Sequence, residues 1–311
     1  MKVLPIRLGI IALLVFQCLL IASAQKPEIS YPNEITFDDF FSRTRSLSTD
    51  LTKGSEAFKF KKPTYRLKRI TKAVKPIAAK RVRPPSSPKK SYSLPVDTKS
   101  EEVWKRLGVT IWRIAAESKD GDSTPKRVSS ETEFKKGDQI RLSLESPAAG
   151  YLYVIDREIY SDGKVGIPRL VFPTMMSRGG NNRVEAGQMI DVPGQADRVA
   201  FFKLDSKNDK WRGEWLTVIV SPEPLKDIDI PEEISPLPVA LVDAVESKYL
   251  KAVGEYELPG TAGMAYTQAE KEAGGSLTRE LTQKDPFPQT MFRVKMRQRE
   301  PMLVSFGLKV K

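Results

Sequence analysis

The sequence predicts a mainly β protein: an antiparallel β-sandwich of about seven strands with one C-terminal amphipathic helix and a terminal β-hairpin, preceded by a disordered basic linker. Three observations predict it. In Gln139–Glu145 the apolar Ile140, Leu142 and Leu144 alternate with Gln139, Arg141, Ser143 and Glu145, the period-2 pattern of a half-buried strand. Tyr151 to Ile155 is apolar at both parities, as a central strand covered on each side requires. From Trp104 onward, short runs of this kind are separated by Gly, Asn, Asp and Pro.

Taken in chain order, the first element is a leader. Lys2 and Arg7 precede an apolar run from Gly9 to Ile21, and Ala22-Ser23-Ala24 supplies small residues for cleavage, so residues 1–24 are expected to be a signal peptide. The apolar run is shorter than the roughly 20 residues needed to span a bilayer, which leaves no transmembrane segment after cleavage. An exported protein is expected, whether periplasmic, envelope-associated or secreted. The single cysteine, Cys18, lies in this leader, so the mature chain has no thiol for disulfides or metal ligation and must be held together by burial.

Residues 25–51 form a short acidic and aromatic segment, with Ile35, Phe37, Phe40 and Phe41 beside Asp38 and Asp39. Residues 52–100 are a basic linker rich in Pro, Lys and Arg. Its fifteen Lys and Arg residues oppose only Glu56 and Asp97, an excess larger than the +12 of the whole chain, so residues 101–311 are close to neutral. Repeated prolines and self-repelling charge oppose a packed core there. Lys68, Arg69, Lys80, Arg81, Arg83, Lys89 and Lys90 are the candidate contacts to an anionic surface, lipid headgroups or wall polymer, through charge attraction. Export argues against nucleic acid as the partner.

Residues 101–225 are the expected sandwich. Besides the two strands already named, strands are predicted at Val109–Ala115, Val165–Phe172, Gln188–Val192, Arg198–Leu204 and Glu214–Val220, with 205–213 as a hairpin loop. Residues 226–311 are an extension expected to pack on the sandwich. Leu237 to Leu250 carries apolar residues at helical spacing, Pro259-Gly260 and Gly274-Gly275 read as breaks, and Thr290–Arg297 with Met302–Val310 reads as the terminal hairpin.

Part of this text resembles a known family. Lys136-Gly137-Asp138, Gly150-Tyr151-Leu152-Tyr153-Val154, Val171-Phe172-Pro173-Thr174, Asn182-Arg183-Val184, Ala186-Gly187, Val192-Pro193 and Gly213-Glu214-Trp215 leading to Val218-Ile219-Val220-Ser221 occur in that order. Over residues 105–225 the chain thereby resembles the bacterial family known as domain of unknown function 4384. The resemblance implies a compact β domain of envelope or exported proteins and brings no catalytic residues.

The absence of histidine removes the usual general base and the commonest metal ligand. No phosphate-cradling glycine loop or nucleophile elbow is present, so no enzyme and no cofactor is expected. Asp205, Asn208 and Asp209, and Asp156 with Asp162-Gly163, lack the count and spacing of a calcium loop and read as turn residues. Tyr151, Tyr153, Trp211 and Trp215, with Tyr160, are the candidate ligand or partner surface, an aromatic platform set against ordinary core packing. The leading expectation is an exported, non-catalytic interaction module that docks to another envelope protein. A wall-polymer or polysaccharide binder using those aromatics, and an unrecognised hydrolase, are the alternatives.

Overall fold

A computed structural model describes residues 101–115, 124–275 and 281–311 in full, and the backbone of residues 66–68. The leader, residues 25–51 and the rest of the basic linker, including the side chains of all seven candidate anion contacts, lie outside the described residues.

The described elements run β1 (Arg66–Lys68), β2 (Glu102–Ile114), β3 (Lys126–Val128), β4 (Glu133–Phe134), β5 (Gln139–Glu145), β6 (Gly150–Tyr160), β7 (Arg169–Phe172), β8 (Arg183–Val184), β9 (Met189–Val192), β10 (Phe202–Lys203), β11 (Trp211–Ser221), β12 (Ser235–Pro236), α1 (Val239–Tyr249), β13 (Val253–Glu257), α2 (Gln268–Gly275), β14 (Thr290–Arg297) and β15 (Met302–Val310). They build two sheets. The first has the order β1-β13-β14-β2-β5-β10, with β3 on β2 and β9 on β5; the second has the order β12-β7-β6-β11-β15-β4, with β8 on β6. All pairings are antiparallel except that of β15 with β4.

The main core fills the space between the sheets. Leu142 and Val109 of the first sheet and Val154, Val218 and Val304 of the second are at most 1% exposed. Successive strand residues point to opposite faces, and the other face of the second sheet is apolar too. Tyr153, Ile155, Ile219 and Leu303 form a second cluster there, closed by Val242 of α1 and by Ile228 and Leu237. The two-sided apolarity of Tyr151–Ile155 has this cause: β6 lies between β7 and β11 and is covered above and below. The helix predicted at Leu237–Leu250 is α1.

Several local expectations are corrected by long-range pairing. Residues 205–213 do not join a hairpin, because β10 pairs with β5 in the first sheet whereas β11 pairs with β6 and β15 in the second. The connection therefore crosses the sandwich. Likewise β14 and β15 are strands but not a hairpin: β14 pairs with β13 and β2, and β15 with β11 and β4. They do not pack on a finished sandwich; they are interior strands that complete both sheets. The strand predicted at Arg198–Leu204 shrinks to Phe202–Lys203, and that at Val165–Phe172 to Arg169–Phe172 behind Pro168. Gly213 permits the bulge by which β11 leaves β6. Its φ is +144°, and a Cβ there would lie 1.9 Å from the carbonyl oxygen of Leu308.

The polar side of β5 is not solvated. Arg141, Ser143 and Glu145 are 9%, 3% and 6% exposed, because α2 and residues 281–289 cover that face of the first sheet. α2 was not among the expected elements. Thr267 and Glu270 close a reciprocal capping box, in which Thr267 Oγ1 accepts from the Glu270 amide at 3.3 Å and Glu270 Oε2 accepts from the Thr267 amide at 3.0 Å. That signal outweighs the two glycines that end the helix.

A buried arginine ties α1 to its sheet. Arg157, 6% exposed, donates to Asp243 Oδ1 at 2.8 Å, and Thr217 Oγ1 donates to Glu246 at 3.1 Å. Burial raises the pKa of Glu246, with the nearby Arg157 charge acting against it. Arg157→Ala is expected to speed amide exchange across α1 while leaving β11 protected. It should also cost about 1–2 kcal/mol in denaturant unfolding, at the low end for a charged hydrogen bond because Asp243 is half in water.

Candidate functional site

The predicted aromatic platform does not assemble. Trp211 is 6% exposed within the main core, and its Nε1 donates to Glu214 Oε1 at 3.0 Å. Tyr153 is 3% exposed beneath the residue 225 loop, and its hydroxyl accepts from the Leu225 amide at 3.0 Å. Tyr151 packs half-buried against the same outer cluster, and Trp215 lies half-buried against Gly307. Tyr151 is opposite Ser221 in register and Trp215 is opposite Arg157, so the two stand about 20 Å apart along the strands at roughly 3.3 Å per residue. The second sheet buries apolar surface on both of its faces, and the rings are spent on packing.

The acidic turn candidates are engaged locally. Asp205 pairs with Lys136 at 3.2 Å and Lys203 at 3.7 Å, which holds its carboxyl below the ordinary range, the Lys136 hydrogen bond first. Asn208 Oδ1 accepts from the Lys210 amide at 3.0 Å, and Asp162 Oδ1 from the Lys164 amide at 3.2 Å.

A polar chain runs through the covered face of the first sheet. Trp112 Nε1 donates to Ser143 Oγ at 2.7 Å, and Ser143 Oγ donates to Asp191 Oδ1 at 2.5 Å. Asp191 Oδ2 accepts from Gln195 Nε2 at 2.8 Å and from the Tyr266 hydroxyl at 2.5 Å. The Tyr266 ring meets Trp112 edge-on at 4.5 Å, and the Arg127 guanidinium lies 5.3 Å from the Trp112 ring while pairing with Glu270 of α2. Burial raises the pKa of Asp191, against the hydrogen bonds from Ser143, Tyr266 and Gln195. Burial and the Asp191 charge also raise that of Tyr266. Gly274 brings α2 against this network, where a Cβ would stand 2.3 Å from the Asp191 carboxylate. The Ser143 hydroxyl is engaged in both directions, accepting from Trp112 and donating to Asp191, and Ser143 also borders a small cavity. The adjacent cavity, bounded by Thr110, Met189, Leu281 and Phe287, holds about 10 Å³, room for one water and far below a ligand pocket.

A second buried group sits between β6 and β11, near the start of β11. Asp156 and Glu214 bring their carboxyls together, and Asp156 Oδ1 and Glu214 Oε2 find no donor among the described side chains. A proton held between two carboxyls accounts for both oxygens. Burial, followed by the neighbouring Asp156 charge, pushes Glu214 up to about 9; burial raises Asp156 to about 6.

What the fold leaves outside is concentrated on one rim. Of ten exposed large apolar side chains among the described residues, seven (Val165, Ile167, Met175, Met176, Ile230, Ile234 and Val239) come from the segments flanking the β7–β12 edge. The segments lie side by side: the Met175 amide donates to Pro231 O at 2.8 Å, the Met176 amide to Glu232 O at 3.1 Å and the Leu237 amide to Pro168 O at 2.8 Å. Beside them the run 223–233, anchored by buried Ile228, exposes Glu223, Asp227, Asp229, Glu232 and Glu233 against Lys226 alone. The only trace of this rim in the sequence is the acidic, proline-bounded run around Ile230 and Ile234, which lies outside the resembling segment.

No helix among the described residues is long and apolar enough to cross a membrane. In comparisons with known proteins, no family model, curated protein or solved structure matches the chain.

The carboxyl pair carries a pH dependence. Both groups bind protons more tightly in the folded chain than their ordinary values of 3.8 and 4.5, so their contribution is fully present below about pH 4 and is lost as pH climbs through about 6 to 9. Glu214→Gln keeps an acceptor for Trp211 and removes the repulsion. Denaturant unfolding at pH 5 and pH 8 should show a flattened slope and a gain of about 1–3 kcal/mol at pH 8, since a tenfold change in acidity is worth about 1.4 kcal/mol.

Proposed function

We propose that the protein is an exported, non-catalytic docking module of a bacterial cell envelope, whose partner is another envelope protein with an apolar and basic contact surface. The observation that carries this reading is the rim of Met175, Met176, Ile230 and Ile234 edged by Asp227, Asp229, Glu232 and Glu233. A contiguous exposed apolar surface rimmed by charge is the mark of a protein contact, and acidic flanks select a basic counterpart and speed encounter. The short β12, with Pro236 in it, offers little backbone for strand addition, so the contact is made by side chains. Among the described residues the buried polar groups hold elements together, and the cavity beside them has about 10 Å³. The basic linker adds reach and attraction to anionic lipid headgroups or wall polymer.

The test is site-specific photo-crosslinking in the native cell. A photoreactive residue at Ile230 should give one discrete adduct, and one at Val199, exposed on a different segment, should not. Glu232→Lys with Glu233→Lys should reduce the Ile230 adduct at least tenfold without changing the thermal midpoint. The same ladder of adducts from both positions, an adduct only to a second copy of this chain, or an adduct indifferent to the charge reversal would refute the reading.

A further inference from the structure

Three of the sandwich's outer strands are clipped. β10, β12 and β4 are each two residues long, too short to template another chain. The fourth side of the sandwich differs. β13 runs five residues, Val253–Glu257, with β14 on one side, and its other side is occupied by β1. The occupant comes from the basic linker. In the antiparallel register Arg66 stands opposite Glu257, Leu67 opposite Tyr256 and Lys68 opposite Glu255. Both acidic positions of β13 therefore face a basic position across the ladder, and the apolar position faces the apolar one. Directly opposed unlike charges favour an antiparallel pair, and a one-residue slip puts both acids against the wrong parity. Glu257 is also held in place by Gln289 Nε2 at 3.1 Å and Ser130 Oγ at 3.3 Å.

We propose that the outer side of β13 is a strand-addition site for an extended basic–apolar–basic segment, and that residues 66–68 of the same chain are its resident occupant. The long edge is thus covered by the chain's own linker, and the linker is tied to the sheet there as well as at Glu102, where β2 begins. This surface is separate from the apolar rim and stands or falls independently of it.

Hydrogen exchange of the full chain, read by mass spectrometry on the peptide spanning 64–70, tests the assignment. In the wild type the amides of residues 66–68 should exchange at least tenfold more slowly than those of residues 80–90. Lys68→Glu should abolish the difference. Combining it with Glu255→Lys should restore protection through the reversed pair. Amides of β6 and β11 report that each variant remains folded. Exchange of residues 66–68 as fast as 80–90 in the wild type overturns the proposal, and so does protection that survives both single charge reversals. Protection that disappears on dilution, together with a dimer on gel filtration, assigns the strand to a second copy and overturns occupancy by the same chain.

Discussion

The structure depends on β11 being held from both sides, by β6 along Trp211–Ser221 and by β15 along Gly213–Val220. The described residues contain no cysteine, so burial is their main source of stability, and burial between sheets requires both sheets to be wide. β11 and β15 put Val218 and Val304 side by side in the inner core while Ile219 and Leu303 face the outer cluster. The last strand of the chain thus contributes to both hydrophobic layers. With β14 lodged between β13 and β2 and β15 between β11 and β4, neither sheet is complete without Thr290–Val310, and such non-local pairings make folding slow relative to local hairpins.

The same constraint governs the polar interior. Once β14 and residues 281–289 are drawn into the first sheet, its outer face cannot remain in water, and the hydrophilic residues on it must be paired. Asp191 is the hub: Ser143 comes from β5, Gln195 from the turn after β9, and Tyr266 from the residue before the Thr267 cap. Arg127 links β3 to Glu270 of α2 and donates to Phe287 O at 2.6 Å. These bonds fix where α2 sits, a role in specificity that apolar contacts alone do not fill. Ser143, Asp191 and Tyr266 thus join β5, β9 and the approach to α2 through one set of hydrogen bonds.

What was legible in the sequence is what local periodicity encodes. β5, β6, β15 and α1 fall where alternation or helical spacing places them, and β6 was readable as central because its two faces are both apolar. Pairing partners were not legible, since nothing near 205–213 or 297–302 says that the flanking strands belong to opposite sheets. Alternation in β5 likewise reports two faces of different polarity, not that one of them is wet; the cover over Ser143 comes from residues more than a hundred positions later. The capping box at Thr267 and Glu270 was readable, yet Gly274-Gly275 drew attention as a break, when Gly274 is set by the approach of the helix to Asp191. The aromatics were ambiguous for a simpler reason: Trp and Tyr suit a buried site with one hydrogen bond as well as an exposed one, and only burial separates the two.

The outer strands of the sandwich separate two kinds of contact. β12 presents side chains and little backbone, so a partner there is chosen by apolar fit and charge. β13 presents backbone over five residues, so whatever adds to it is chosen by strand register and by acids at alternate positions. A segment carried on the same chain competes intramolecularly, so an outside strand must exceed its effective concentration to displace it. The rim has no such internal competitor among the described residues. On the docking reading proposed above, a partner engages the rim without opening the sheet.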